Sequence, residues 1–348
     1  MNSTEQPRIS VRSPADLIAA VPYLLGFHPA DSLVVLALRG RRIVFAARAD
    51  LPPSGADAGP VARHLTAVIR RQSAEAATII GYGPAARVTA AVDALRHAVG
   101  ETSITVVDAL RVGDGRYWSY VCADPGCCPP EGTPYDAAAS QVTATAVFAG
   151  QVALPDRAAL TARVAPVTGP AREAMRAATA QARARLGELL RSVPPEELSS
   201  ARAVTRPAGA AHRAALEQTR RGERLSDQAV AWLGVLLTFL PARDDVWERT
   251  EGDDAHVDLW TDVFRRSEPE LVAAPGSLLA FAAFRAGQGA LAAVALERVL
   301  ARQPDYSMAL LLDDLLRQAV PPSRFTDWPT LNDKRATLPR RARRHRPR

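Results

Sequence analysis

The chain has 348 residues, 47% of them apolar and 23% charged, with three cysteines and a formal net charge of +6. That length and apolar content are enough for about two packed cores, which excludes a disordered protein. Of the 43 basic residues, eight (Lys334, Arg335, Arg340, Arg341, Arg343, Arg344, Arg346 and Arg348) crowd the last fifteen positions; the remaining 35 face 37 acidic residues, a net of −2, so the basic pI belongs to the tail.

The opening stretch MNSTEQPRISVRSP has no apolar run of the kind a secretory signal needs. The longest apolar stretch, Ala229 to Leu240, has 12 residues, against the ~20 required to span a bilayer. These features predict a soluble cytoplasmic protein with no membrane partner.

In chain order, Ser13 is a helix N-cap with Pro14 at the first helical position, and Leu17, Ile18 and Val21 form an apolar face. Pro22 is expected to kink or restart this helix, and Gly26 to end it in the left-handed conformation, with Phe27 folding back onto it. His28 precedes Pro29 and is pushed toward an extended conformation. Leu33–Leu38 is apolar at every position, the pattern of a strand covered on both faces. Arg39-Gly40-Arg41 predicts a hairpin turn that returns through Ile43–Ala49.

Helices over Val61–Gln72 and Pro84–Val99 then alternate with buried strands over Ala77–Tyr82 and Ile104–Leu110, and a turn at Val112–Gly115 leads into a strand over Arg116–Cys122. The pattern predicts an α/β domain whose mixed sheet is parallel at its centre and flanked by hairpins. The second half carries helical periodicity alone. Helices are predicted near Pro170–Ser192, His212–Arg221, Ser226–Leu240, Ala255–Arg266, Ser277–Ala286, Ala290–Arg302 and Ser307–Gln318, with a Pro/Gly/Ala linker over Thr205–Ala211. The domains predicted are therefore an α/β domain over 1–152 with a cysteine-rich loop, an all-helical domain over 153–320, and a disordered basic tail over 321–348.

Gly287, Ala292, Val299 and Pro304 have the spacing of a tetratricopeptide-like helical hairpin, in which small residues let two helices approach and proline closes the second. A shift of 35 residues pairs Leu259, Phe264 and Pro269 with Val294, Val299 and Pro304. Such a hairpin suits partner docking; ordinary helical-bundle packing accounts for the same residues equally well.

All three cysteines lie in one loop, CADPGCCPPEGTPYD from Cys122 to Asp136. Asp124-Pro125-Gly126 is a turn that folds Cys127 back toward Cys122, so Cys122, Cys127 and Cys128 are candidate ligands for zinc or another soft metal, or a redox pair. Their adjacency argues against a closed tetrahedral site, and simple packing of small side chains is the alternative. Asp124 is a further candidate binding residue.

His28, Asp31 and Ser32 have the residue types of a hydrolytic triad but sit too close together in sequence to converge on one substrate atom, and with Arg48 and Asp50 they form a polar cluster at one margin of the sheet. Asp31 and Ser32 suit turn roles, and His28 a half-buried position holding a carbonyl. Gly81-Tyr82-Gly83-Pro84-Ala85-Ala86 reads GxGxxA between strand and helix, but Pro84 removes an amide that a dinucleotide phosphate would use. The tail from Lys334 offers phosphate contacts to nucleic acid and no aromatic residue for stacking.

The stretches LLGFHPADSLVVLAL from Leu24, RADLP from Arg48, RYWSYVCADPGCCPPEGTP from Arg116 and GQGALAAVALERVLARQPDYSMALLL from Gly287 resemble an uncharacterised actinobacterial family, domain of unknown function 4192. The resemblance spans nearly the whole body. It implies a cytoplasmic protein, marks the first turn and the cysteine loop as family features, and supplies no reaction. The sequence thus favours a non-catalytic interaction or regulatory protein that binds a protein partner on its helical half. The alternatives are an enzyme or metal-binding protein acting at the cysteine loop, and nucleic-acid contact through the tail.

Overall fold

The computed structural model describes residues 11–194 and 201–325. The basic tail from Lys334 lies outside the described residues. Of the segment from 321 onward, expected to lack structure, Pro322–Phe325 forms a 3-10 turn. Among the described residues the chain divides into two compact units: one runs to Val164 and includes 288–294 and 314–320, and the other comprises the described parts of 165–287, 295–313 and 321–325.

The α/β unit opens with α1 (Pro14–Leu25), capped by the Ser13 hydroxyl, which accepts from the Asp16 amide, and ended by Gly26 at φ 82°. Of the kink or restart expected at Pro22, no restart occurs: one helix runs through it. A proline inside a helix costs about 3 kcal/mol; here both ends are capped and Ile18, Ala19, Ala20, Val21 and Pro22 itself are buried, so packing outweighs the lost bond.

Six strands follow, β1 (Ser32–Arg39), β2 (Arg42–Asp50), β3 (Ala76–Tyr82), β4 (Thr105–Gly113), β5 (Arg116–Ser119) and β6 (Thr133–Pro134), in the sheet order β2-β1-β3-β4-β5-β6. Only β3 and β4 pair in parallel, and β1/β2 and β4/β5 are the flanking hairpins, so the mixed sheet with a parallel centre stands.

Alternation along β1 feeds two cores. Leu33, Val35 and Ala37 pack with Ile79 and with Leu65, Ile69, Val88, Val92 and Leu95 of α2 (Gly59–Arg71) and α3 (Ala85–Gly100). Val34 and Leu36 face the other way, to Ile80, Leu110, Val112 and to Ile18 and Val21 of α1. That two-sided burial is the physical reason β1 has no polar face. Short helices α4 (Gln141–Phe148) and α5 (Arg157–Arg163) complete this part of the chain.

Among its described residues the second unit contains helices and no strand: α6 (Gly169–Ser192), α7 (Arg202–Arg220), α8 (Asp227–Leu236), α9 (Leu240–Glu248), α10 (Asp254–Arg266), α11 (Ala273–Arg285), α12 (Gly289–Arg302) and α13 (Ser307–Arg317), the last two reaching into segments that cluster with the first unit. The linker predicted over Thr205–Ala211 is instead the body of α7, with Pro207 inside it. Val204, Ala208, His212 and Ala215 form a buried stripe at helical spacing, and Gly209 lets Asp245 of α9 approach. The single helix predicted over Ser226–Leu240 splits into α8 and α9, because Pro241 at the start of α9 forces a new helical beginning. Among the described residues, no helix is long and apolar enough to cross a membrane.

Candidate functional site

The cysteine loop grows out of the β4/β5 hairpin. Ser119, the last residue of β5, donates its hydroxyl to Asp108 Oδ1 (3.1 Å) and accepts the amides of Val121 (3.2 Å) and Cys122 (3.1 Å). This is why the strand stops at Ser119 and does not run on to Cys122 as its sequence predicts: the hydroxyl competes for the amides that a further ladder would use. Asp124 then reverses the chain. Its carbonyl accepts from both Cys127 N (3.1 Å) and Cys128 N (2.7 Å), while its carboxylate accepts from Gly126 N (2.9 Å).

The far side of the loop is held by Trp118. The indole N–H donates to the Pro130 carbonyl (3.0 Å), the Arg111 guanidinium lies 3.4 Å from the ring centroid, and a Cβ on Gly132 would fall 2.5 Å from the ring. Gly132 has φ 83°, so the position excludes a side chain on both steric and backbone grounds.

This scaffold brings the sulfurs of Cys122, Cys127 and Cys128 within 4.8 Å of one another. All three are free thiols; Cys127 is exposed and the other two are half-buried. A thiolate set around one ion at a metal–sulfur distance near 2.3 Å has its sulfurs ~4 Å apart, so small rotamer changes close the ring. The group consists of the three thiols alone, with no His, Asp or Glu among the described residues joining it; a metal held here would keep an open coordination position. The Asp124 amide, and then the Cys128 thiol, lower the Cys122 pKa. The Cys122 sulfur, and then burial, push Cys128 up to about 12. The two thiols are therefore shifted in opposite directions, and Cys122 gives up its proton before Cys128.

The polar cluster at the start of β1 is a separate arrangement. The Ser32 hydroxyl is fully buried, donates to the Ala30 carbonyl (2.5 Å) and accepts from Arg48 Nε (2.8 Å), and Arg48 also pairs with Asp50 (2.6 Å). Asp31, at φ 44°, pairs with Arg87 of α3 (2.7 Å), and its carbonyl accepts the Leu51 amide. His28 is exposed. Its backbone amide, bonded to the Leu154 carbonyl (2.9 Å), does the anchoring that the sequence assigns to a half-buried imidazole. Ser32 is thus bound to a guanidinium and not to an imidazole, and these residues brace the β1–β2–α3 junction. The sheet order places β3 and β4 between β1 and β5, about 14 Å at the usual strand spacing, so the first turn and the cysteine loop do not form one site.

Arg87 also explains the GxGxxA turn. It covers the start of α3, donating to the carbonyls of Leu51 (3.0 Å) and Pro52 (3.1 Å). Gly81 serves helix packing, since a Cβ there would lie 2.3 Å from Val88 Cγ1.

Sequence reasoning missed two groups in the helical unit. Glu251, Asp253 and His256 place one potential ligand atom each within 4.8 Å. Asp253, however, is already committed: it caps α10 through the His256 amide, accepts from the His256 ring (2.6 Å) and pairs with Arg220 (3.3 Å). Beneath them His212 stacks on Trp260 at 5.6 Å and faces His256 at 5.7 Å. Both nitrogens of His212, Nε2 of His256 and Nε1 of Trp260 are buried without a hydrogen-bond partner. No spacing rule marks these positions, because helices distant in sequence bring them together.

Residues 14–323 match the family described as Domain of unknown function (DUF4192), and the chain belongs to that family. No curated protein and no solved structure matches it.

Proposed function

We propose that the Cys122–Cys128 loop is the functional centre and that it binds one soft metal ion, zinc foremost, through three thiolates. The observation that carries this reading is the mutual approach of three sulfurs within 4.8 Å on a loop fixed by Ser119, Asp124 and Trp118. Vicinal cysteines seldom ligate the same ion; here the double acceptance at the Asp124 carbonyl turns the chain so that they can. Binding releases the thiol protons, so affinity rises with pH. The open position makes the site suited to capture or transfer of a ligand or metal, not only to structural bracing. Free thiols so exposed fit a reducing compartment such as the cytoplasm.

Elemental analysis of protein purified without chelator, followed by zinc titration, tests the reading. One ion per chain, lost in Cys122→Ser and in Cys127→Ser, is expected; substoichiometric metal that neither substitution changes refutes it.

A second reading places partner docking on the helical half, through a tetratricopeptide-like hairpin formed by α11 and α12. The close approach at Gly276, where a Cβ would lie 2.4 Å from Val299, supports it, and Leu310 and Leu311 stand exposed on the following α13. Replacing both leucines by glutamate should abolish recovery of a defined partner; undiminished recovery counts against this surface.

A further inference from the structure

An open cavity of about 270 Å³ in the helical unit is walled by Arg172 of α6, Arg298 and Arg302 of α12, and the apolar Pro166, Pro269 and Val272. Three guanidinium groups in so small a space need an explanation. Arg298 and Arg302 stand four residues apart on one helix, where like charges repel. The ion pair that Arg172 makes with Glu268 is long, at 3.6 Å. Arg298 lies over the Phe264 ring at 4.0 Å, half-buried, which orients its guanidinium by stacking. Burial, and then the neighbouring Arg265, lower the Arg298 pKa to about 10. The surroundings thus disfavour the very charge that the fold places there.

An anionic ligand in the cavity would engage several of these guanidinium groups at once. Arginine forks match the oxygens of a phosphate and hold it bidentately. The start of α6 at Gly169 lies between two wall residues, Pro166 and Arg172, and adds the positive end of a helix dipole to the same region. The volume is at the small end of ligand pockets, enough for a phosphate with a small organic group. Pro166, Pro269 and Val272 offer that group an apolar surface.

We infer that this cavity binds a small phosphorylated molecule, its phosphate held by Arg172, Arg298 and Arg302 and its organic part resting against Pro166, Pro269 and Val272. No cysteine takes part, so the assignment stands or falls independently of the metal site.

Calorimetric titration of the full chain with inorganic phosphate and with glycerol phosphate, at constant ionic strength set by chloride, tests it. Saturable binding of both, tighter for the ester, is expected, and Arg302→Gln should weaken it by about tenfold or more through loss of a charge-assisted pair. Arg183→Gln, an exposed residue of the same unit paired with Glu270, should leave it unchanged. Arg298→Met keeps the aliphatic stem over Phe264 and should abolish binding; if circular dichroism shows that variant misfolded, the exposed Arg302 alone decides. No saturation at millimolar concentrations, or equal affinity in Arg302→Gln, overturns the inference. An ester bound no more tightly than inorganic phosphate overturns the assignment to a phosphorylated molecule.

Discussion

Acid should loosen the helical unit through His212. The imidazole is 1% exposed, stacked on Trp260, and without a hydrogen bond at either nitrogen. Burial, and then His256, Arg249 and Arg213, set its pKa down to about 4 from 6.5, with Asp245 opposing. The folded-state value is the lower one, so the unfolded chain takes up the proton first as pH falls. The folded state keeps its full stability above pH 6.5 and loses it progressively down to about pH 4. The gap between those values corresponds to roughly 3 kcal/mol.

His212→Phe keeps the stacking on Trp260 and removes both orphaned nitrogens, each of which costs ~1–3 kcal/mol when buried unsatisfied. Urea unfolding followed by tryptophan fluorescence reports largely on this unit, which holds Trp232, Trp247 and Trp260. The variant should match or exceed the wild type at pH 7 and outlast it increasingly from pH 6 to 4.5, by up to ~3 kcal/mol. Other titrating groups cancel in that difference. A difference that stays constant with pH refutes the reasoning.

Three further outcomes follow from the α/β unit. Ser119→Ala removes the acceptor for the Val121 and Cys122 amides and should weaken metal binding about tenfold while costing ~1 kcal/mol of stability, read by competition with a zinc-sensitive dye and by thermal unfolding; unchanged affinity means the loop is held without it. Iodoacetamide at pH 7 should alkylate Cys122 well before Cys128, whose thiol is pushed up to about 12, as mass mapping will show, and the reverse order would falsify the opposite shifts of the two thiols. Gly81→Ala drives a methyl to 2.3 Å from Val88 and should cost ~1–3 kcal/mol, part of it restored by Val88→Ala in the same chain; no rescue would place the strain elsewhere.

The fold was legible where burial is periodic. β1 and β3 show it most clearly, since strands flanked by two cores must be apolar throughout, and the Gly26 cap was readable because only its conformation suits that turn. Composition misled at α7, where Pro207 and Gly209 read as a linker although the buried stripe from Val204 to Ala215 holds a helix. At the site, the turn at Asp124-Pro125-Gly126 and the return of Cys127 toward Cys122 were visible, and what seats the adjacent Cys128 in the same convergence was not. That convergence depends on a backbone carbonyl accepting two amides, which no side chain announces. Arg87 was invisible for a related reason: its partners, Asp31, Leu51 and Pro52, reach it only once the sheet has assembled.

The two outer strands of the sheet have unequal consequences for self-association. β6 consists of Thr133 and Pro134, and proline has no amide with which to extend a ladder, so that edge cannot template another chain. β2 ends the other side with nine residues and no proline, and Val44 is 40% exposed. The β2 edge is therefore the better template for strand addition, whether by a second copy or by a misfolded one. Arg42, Arg48 and Asp50 are the charges that β2 carries against it.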